Sequence, residues 1–213
     1  MRRLRPKVVA LLAASCFVAS LARADGLLPA EISQLGSGRT VTRNRDFHLG
    51  DKRYVGGVTY TVLDAQTGEL SALLDDVDEW RRMLPQTRAT RRVGTIAGDS
   101  LVQVTQGSLI FRVTYTLRLH RDASGIRFWM DPSRPHDIED AWGFFRAQPL
   151  VGHQTLVTYG ILIDMGPGLL RGLFEGRVRD LALRVPERLS MLLRERKTAH
   201  NENMLVRRAT ERY

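Results

Sequence analysis

Two periodicities constrain this chain more than anything else in it: a period of two through its middle and a helical period near its end. Leu109, Phe111, Val113, Tyr115, Leu117 and Leu119 alternate with Ile110, Arg112, Thr114, Thr116 and Arg118, the pattern of a strand with one buried and one wet face. The pattern returns from Val151 to Ile163, where Thr155, Val157, Tyr159, Ile161 and Ile163 share a face. An earlier strand, Val55 to Leu63, sets Val58, Tyr60 and Val62 against Thr59 and Thr61. Turn signals at Gly98-Asp99, Gln106-Gly107, Asp122 to Gly125, Pro132 to Pro135 and Val151-Gly152-His153 keep the connections short. Short connections select antiparallel neighbours, because a parallel crossover takes about a dozen residues or more.

Helical spacing appears in three places. After the first strand, Leu70, Leu73, Leu74 and Val77 follow the i, i+3, i+4, i+7 rule. A second short piece, Val77 to Met83, has to stop at Leu84-Pro85, since the residue before proline is pushed out of the helical region. From Pro167 to Leu193 a long helix carries Leu169, Leu173, Phe174, Val178, Leu181, Val185, Leu189 and Leu192 on one side, and Pro186 is expected to kink or split it. Gly172 and Gly176, four apart, read as glycines tolerated in a packed helix, with a close helix–sheet or helix–ligand approach as the alternative.

The fold class expected is α+β: a curved antiparallel sheet wrapped around a long C-terminal helix, with short helices after the first strand. Such a sheet cannot fill its concave side with backbone, so a cavity is expected between sheet and helix. The order of elements resembles the helix-grip fold of the START/SRPBCC superfamily, close to its polyketide cyclase and coenzyme Q-binding branch, over residues 52–193. The residues that carry the resemblance are Leu73-Leu74-Asp75 followed by Trp80 and Leu84-Pro85, then Gly143-Phe144-Phe145, then Thr155 to Tyr159 ahead of Asp164 to Pro167. The resemblance implies a cavity that holds a hydrophobic molecule, or in some members closes polyketide rings. It supplies no universal catalytic residue. It places Trp80 in the short helices near the cavity mouth, as a gate.

Outside that domain, Arg2, Arg3, Arg5 and Lys7 precede an apolar stretch from Val8 to Leu21 and a small-x-small site at Ala22-Arg23-Ala24. Residues 1–24 therefore read as a secretory signal peptide, too short for a spanning helix of about 20 apolar residues. Ala13-Ala14-Ser15-Cys16 offers a lipoprotein reading through Cys16, disfavoured because Ala13 stands where leucine is expected and the apolar run continues past Cys16. An uncleaved anchor is the remaining alternative. Periplasmic or secreted localisation follows from the signal peptide.

Its removal leaves 189 residues, enough for one domain with a sizeable core, with 27 basic and 23 acidic residues. The formal charge falls from +9 to +4, which undercuts a nucleic-acid reading. No cysteine remains, so neither a disulfide nor a thiol nucleophile is available. Residues 25–51 form a lead-in, with a short helix from Pro29 to Leu35 ending at Gly36 and a short strand Arg39 to Arg43, packed on the outside. Residues 194–213 form a basic tail expected to fray in solvent; peripheral contact with an anionic membrane surface is the alternative.

Candidate chemistry is sparse. His136 and Asp140 lie in the cluster His136 to Asp140 ahead of Trp142; with a strand starting at His136, both would share a face with Trp142. That reading makes them polar candidates, and acid–base residues of a cyclase/aromatase alternative; a solvated hairpin is the plainer one. The five histidines are scattered, Gly-x-Ser-x-Gly is absent, and Gly36-Ser37-Gly38 is a lone turn, so no metal, cofactor or covalent hydrolase chemistry is expected. The aromatics expected to line the cavity are Tyr60, Trp80, Phe111, Tyr115, Phe128, Trp142, Tyr159 and Phe174, since apolar walls with a few polar handles are the usual form of small-molecule sites. The expected partner is a hydrophobic ligand such as a lipid, an isoprenoid quinone or a polyketide-like molecule. A filled core in an envelope interaction protein is a third reading.

Overall fold

The computed structural model describes residues 26–107, 112–167 and 169–210. Residues 1–24, read from the sequence as a signal peptide, and Phe111 lie outside them, as does the side chain of Phe174. Along the chain come α1 (Pro29–Gly36), β1 (Val41–Leu49), β2 (Lys52–Leu63), α2 (Thr67–Asp75), a 3-10 turn (Val77–Glu79) and α3 (Trp80–Met83). Six strands follow: β3 (Thr87–Ile96), β4 (Asp99–Gly107), β5 (Arg112–Asp122), β6 (Gly125–Met130), β7 (Asp140–Pro149) and β8 (Thr155–Asp164). Helices α4 (Leu169–Leu183) and α5 (Val185–Thr210) complete the order.

All eight strands belong to one curved antiparallel sheet in the order β1-β2-β8-β7-β6-β5-β4-β3. The short helices α2 and α3 carry the chain from β2 to the far edge, and the meander from β3 onward brings β8 back beside β2. There Val55 pairs with Ile163 and Leu63 with Thr155. At the β3 edge two register shifts, between Thr87 and Ala89 and between Arg92 and Gly94, add residues to one strand and bend it.

Local chemistry explains each helix. In α1, Pro29 opens the first turn, where its missing N–H is no loss. Glu31 Oε2 accepts the Leu28 N–H at 2.7 Å, and Glu31 Oε1 accepts from Arg43 Nε at 2.8 Å, tying the helix to β1. In α2, Glu69 likewise accepts the Gln66 N–H, and Leu70, Leu73 and Leu74 are buried on one face. Pro186 has no N–H to continue the ladder from α4, so the long helix breaks at Arg184. The Leu183 carbonyl exposed at that break accepts a hydrogen bond from Thr59 Oγ1 at 3.1 Å.

Two features depart from the sequence reading. The lead-in strand runs Val41–Leu49 rather than Arg39 to Arg43, and pairs with β2 along its whole length as an edge strand of the sheet. The basic tail is helical through Thr210 instead of frayed. Gly176 faces open space, in keeping with a tolerated glycine.

The main core fills the concave side of the sheet beneath α2, α3, α4 and α5, with Leu63, Trp80, Val102, Val104, Val157 and Leu189 at its centre. A separate cluster on the other side of β2 joins Tyr60 and Leu156 to Leu27, Leu35 and Val41 under α1.

Candidate functional site: a cavity between sheet and helix

The concave core does not close completely. A cavity of about 140 Å³ lies between the sheet and the α4/α5 break. Strand β5 contributes Val113, Tyr115 and Leu117, β6 contributes Phe128, and β8 contributes Tyr159, Ile161 and Ile163. These are the inward positions of the alternating pattern. Val178, Leu181, Ala182 and Val185 cover them from the helices, and Met165 and Ile138 close the rim. Above Tyr159 the wall opens on a void of about 40 Å³, bounded by Leu74, Trp80, Met83 and Phe145. Beyond Trp80 comes a cleft of about 310 Å³ with a polar rim of Arg92, Asp99, Ser100, His120 and Arg121. Trp80, Leu74, Leu119 and Ile126 border both the small void and this cleft.

The rim segment Leu84-Pro85-Gln86 is held in place by the backbone. Leu84 N–H donates to Trp80 O at 2.8 Å, Gly107 N–H donates to Gln86 O at 3.0 Å, and Gln106 Nε2 donates to Pro85 O at 2.8 Å. Gln86 adopts φ 53°, a left-handed conformation that a non-glycine side chain enters only under such constraint. Gln106 also receives the Tyr115 hydroxyl on Oε1 at 2.7 Å, which orients that phenol along the wall. Burial pushes the Tyr115 and Tyr159 phenols well above the ordinary range, so both are neutral hydroxyls.

Of the eight aromatics expected at the cavity, Tyr115, Phe128 and Tyr159 border it. Trp80 borders the adjoining void, where its Nε1 donates to Leu74 O at 3.1 Å and it forms the partition toward the polar cleft. Tyr60 does not face the cavity. The inward face of β2 is the threonine face, which meets the helix break through Thr59, and the apolar face carrying Tyr60 is taken by α1. Trp142 is also elsewhere, 40% exposed on the outer side of the sheet, paired with Trp129 on β6 and Leu162 on β8. Strand β7 begins at Asp140, so Ala141, Gly143 and Phe145 point inward. The Phe128 ring lies over Gly143 and leaves no room there for a larger side chain.

The polar candidates lie off the cavity too. His136 is exposed in the loop before β7, with Nδ1 at 2.7 Å from Ile138 O. Asp140 Oδ2 accepts from Lys52 Nζ at 2.7 Å and from the Tyr54 hydroxyl at 2.6 Å. Burial alone would raise the Asp140 carboxyl, but the Lys52 and Tyr54 hydrogen bonds outweigh it and hold the group below the usual carboxylate range. Tyr54, buried beside that charge, is pushed up to about 12. Asp140 is thus an ionised structural acceptor. Its depressed folded value stabilises the fold above the ordinary carboxylate range, and that contribution is lost as pH falls through the folded value. Asp140→Asn is therefore expected to lower the melting temperature at pH 7, with the difference from wild type shrinking below about pH 4; melting curves across the acid and neutral range check this.

Asp137 is the carboxylate that borders the cavity, and its Oδ2 accepts the Thr114 N–H at 2.7 Å. Sequence reasoning did not place it at the cavity, nor the rim segment Leu84 to Gln86 or the helix residue Ala182. The proline at 85 signalled the end of a helix but not that the following residues would cap a cavity. In the polar cleft, Asp99 lies 2.8 Å from His120 Nδ1 and accepts from Arg118 Nε at 2.6 Å. Hydrogen bonding to His120 first, and to Arg118 second, holds its carboxyl below the usual range. Among the described residues, no group of His, Cys, Asp and Glu is placed to hold a metal ion.

No protein-family profile and no curated protein sequence matches the chain. Solved structures do. A protein of Thermus thermophilus superposes with a TM-score of 0.55 at 18% identity, over 67% of this chain and 97% of its own. The STAR-related lipid transfer protein of Xanthomonas axonopodis gives 0.54 at 15% identity, over 73% and 93%. A START superfamily protein of Mycobacterium smegmatis gives 0.50 at 14%, over 65% and 94%. The chain therefore has the α+β helix-grip fold of START-type proteins, as the order of its elements implied.

Proposed function

We propose that this protein binds and carries an apolar small molecule in the cell envelope, enclosing it between the concave face of the sheet and the α4/α5 break. The observation that carries this reading is the cavity itself: a space of about 140 Å³ whose walls are almost wholly aliphatic and aromatic. Close packing normally removes voids larger than a water molecule. An apolar cavity of comparable size, about 150 Å³, is known to stay dry and to take up benzene or xenon. The fold shared with a lipid transfer protein supports the same reading, and the basic head, apolar run and Ala22-Arg23-Ala24 site support an envelope location. Cargo of the lipid, isoprenoid quinone or polyketide-like kind fits such walls. His136 and Asp140, the acid–base candidates of a cyclase, do not border the cavity.

The test is mass spectrometry of organic extracts from protein purified from the periplasm without detergent, beside an Ala182→Phe variant. Ala182 lines the cavity from the helix side, and a phenyl group there fills the space the ligand needs. A stoichiometric apolar compound in the wild type, absent from the folded variant, is the expected result. Equal recovery from both, or an empty wild type that also fails to take up apolar probes, overturns it.

A further inference from the structure

Among the described residues that line the cavity, Tyr159 is the one whose buried polar group makes no hydrogen bond. Tyr159 is 1% exposed and borders both the main cavity and the adjoining void. Its ring is packed against Phe145, centroids 4.5 Å apart, and Phe128, 6.4 Å apart. Its hydroxyl makes no hydrogen bond among the described residues. The polar groups beside it are engaged, the Tyr115 hydroxyl donating to Gln106 Oε1 and Gln106 Nε2 to Pro85 O and Thr87 Oγ1, while Gln86 at the rim is exposed to solvent. Asp137 Oδ2 is held by the Thr114 N–H. A buried hydroxyl donor with nothing to donate to is an exception that calls for a partner.

Charge narrows what that partner is. Among the described wall residues there is no arginine, lysine or histidine, and the one formal charge is the carboxylate of Asp137. A fatty-acid or other anionic head inside this cavity would find no counter-charge and would face a like one. A neutral oxygen acceptor has no such penalty, and Tyr159 supplies its donor.

We propose that the Tyr159 hydroxyl is the specificity determinant of the cavity, donating a hydrogen bond to a neutral acceptor oxygen, carbonyl in type, on an otherwise apolar ligand. This rests on the binding function proposed above and narrows its ligand to uncharged carbonyl compounds, with hydrocarbons and carboxylate anions disfavoured.

Matched ring probes test it: 2-methyl-1,4-naphthoquinone, 2-methylnaphthalene and 2-naphthoate, titrated into wild type and Tyr159→Phe by calorimetry. Wild type is expected to bind the quinone about tenfold tighter than the hydrocarbon, the worth of one buried hydrogen bond, and to bind the carboxylate weakest. In Tyr159→Phe the quinone advantage collapses to about twofold or less while hydrocarbon binding is unchanged. Because the hydroxyl has no partner among the described residues, the variant also melts at the wild-type temperature or above it, which a structural role for the hydroxyl would not allow. An undiminished quinone preference in Tyr159→Phe, or carboxylate binding tighter than quinone binding, overturns the assignment and leaves the binding function standing. Failure of wild type to bind any of the three overturns both.

Discussion

Replacing Trp80 with alanine is expected to destabilise the protein by about 4 kcal/mol, the middle of the range for deleting a buried aromatic side chain. The indole is 5% exposed, sits at the start of α3, and packs in the main core with Leu74 and Met83. Two losses combine. The cavity left behind is large and lined by groups fixed in strands and helices, which limits collapse. The Leu74 carbonyl also loses the donor it receives from Nε1. For a chain of this size the change corresponds to a fall in melting temperature of about 12 °C, read by denaturant and thermal unfolding. A functional consequence accompanies it. Trp80 stands between the small apolar void and the polar cleft of Asp99 and His120, and its removal joins them, admits water and weakens binding of apolar probes. Trp80→Phe keeps most of the partition and loses the hydrogen bond, so its expected loss is nearer to about 1–2 kcal/mol, with the partition largely retained. Probe binding as tight in Trp80→Ala as in wild type would show that the indole is not the seal.

Gly143→Ala is the second large effect expected, about 3 kcal/mol of destabilisation from a single methyl group. A Cβ at this position would lie 2.2 Å from the Gly160 carbonyl oxygen and 2.5 and 2.9 Å from atoms of the Phe128 ring. The carbonyl belongs to β8, which is hydrogen-bonded to β7 on one side and β2 on the other, so it has little freedom to retreat. Relief has to come from Phe128, whose ring lines the cavity. The variant should therefore show both a lower unfolding midpoint and altered affinity for ring probes. A wild-type midpoint would mean that the β7–β8 pairing yields more readily than its ladder implies.

These expectations depend on side-chain placement, and the sequence was uneven on that point. The helix from Pro29 to Gly36, the Leu70-Leu73-Leu74 face and the halt at Leu84-Pro85 were legible because each is set by neighbours within a turn or two: a proline, a capping carboxylate, a spacing of three and four. The split before Pro186 was legible for the same reason. The set Val113, Tyr115, Leu117, Tyr159, Ile161 and Ile163 was legible as one face of each strand, since these strands carry a strong contrast between faces; that this face is the inward one came from the structure.

What stayed hidden was the assignment of faces where the contrast is weak or both sides are covered. On β2 the apolar residues Val58, Tyr60 and Val62 face α1, from the N-terminal end of the chain, and the threonines face the α4/α5 break from the C-terminal end. Alternation gives the two faces of a strand but not which one meets the larger core, and a slip of one residue exchanges them. That is why Tyr60 was placed in the cavity. Trp142 was misplaced because β7 starts at Asp140 and its inward positions are small, Ala141 and Gly143, to make room for Phe128. Asp140 reads from the sequence as a polar candidate because its partners, Lys52 and Tyr54, lie far earlier in the chain, 88 and 86 residues away. The sequence by itself thus determined the elements, their order and the existence of a concave apolar surface, all products of local pattern. Only the tertiary structure decided which side chains share the cavity and which of them, Tyr159 above all, find no hydrogen-bond partner among the described residues, because hydrogen-bond satisfaction depends on strands and helices brought together from distant parts of the chain.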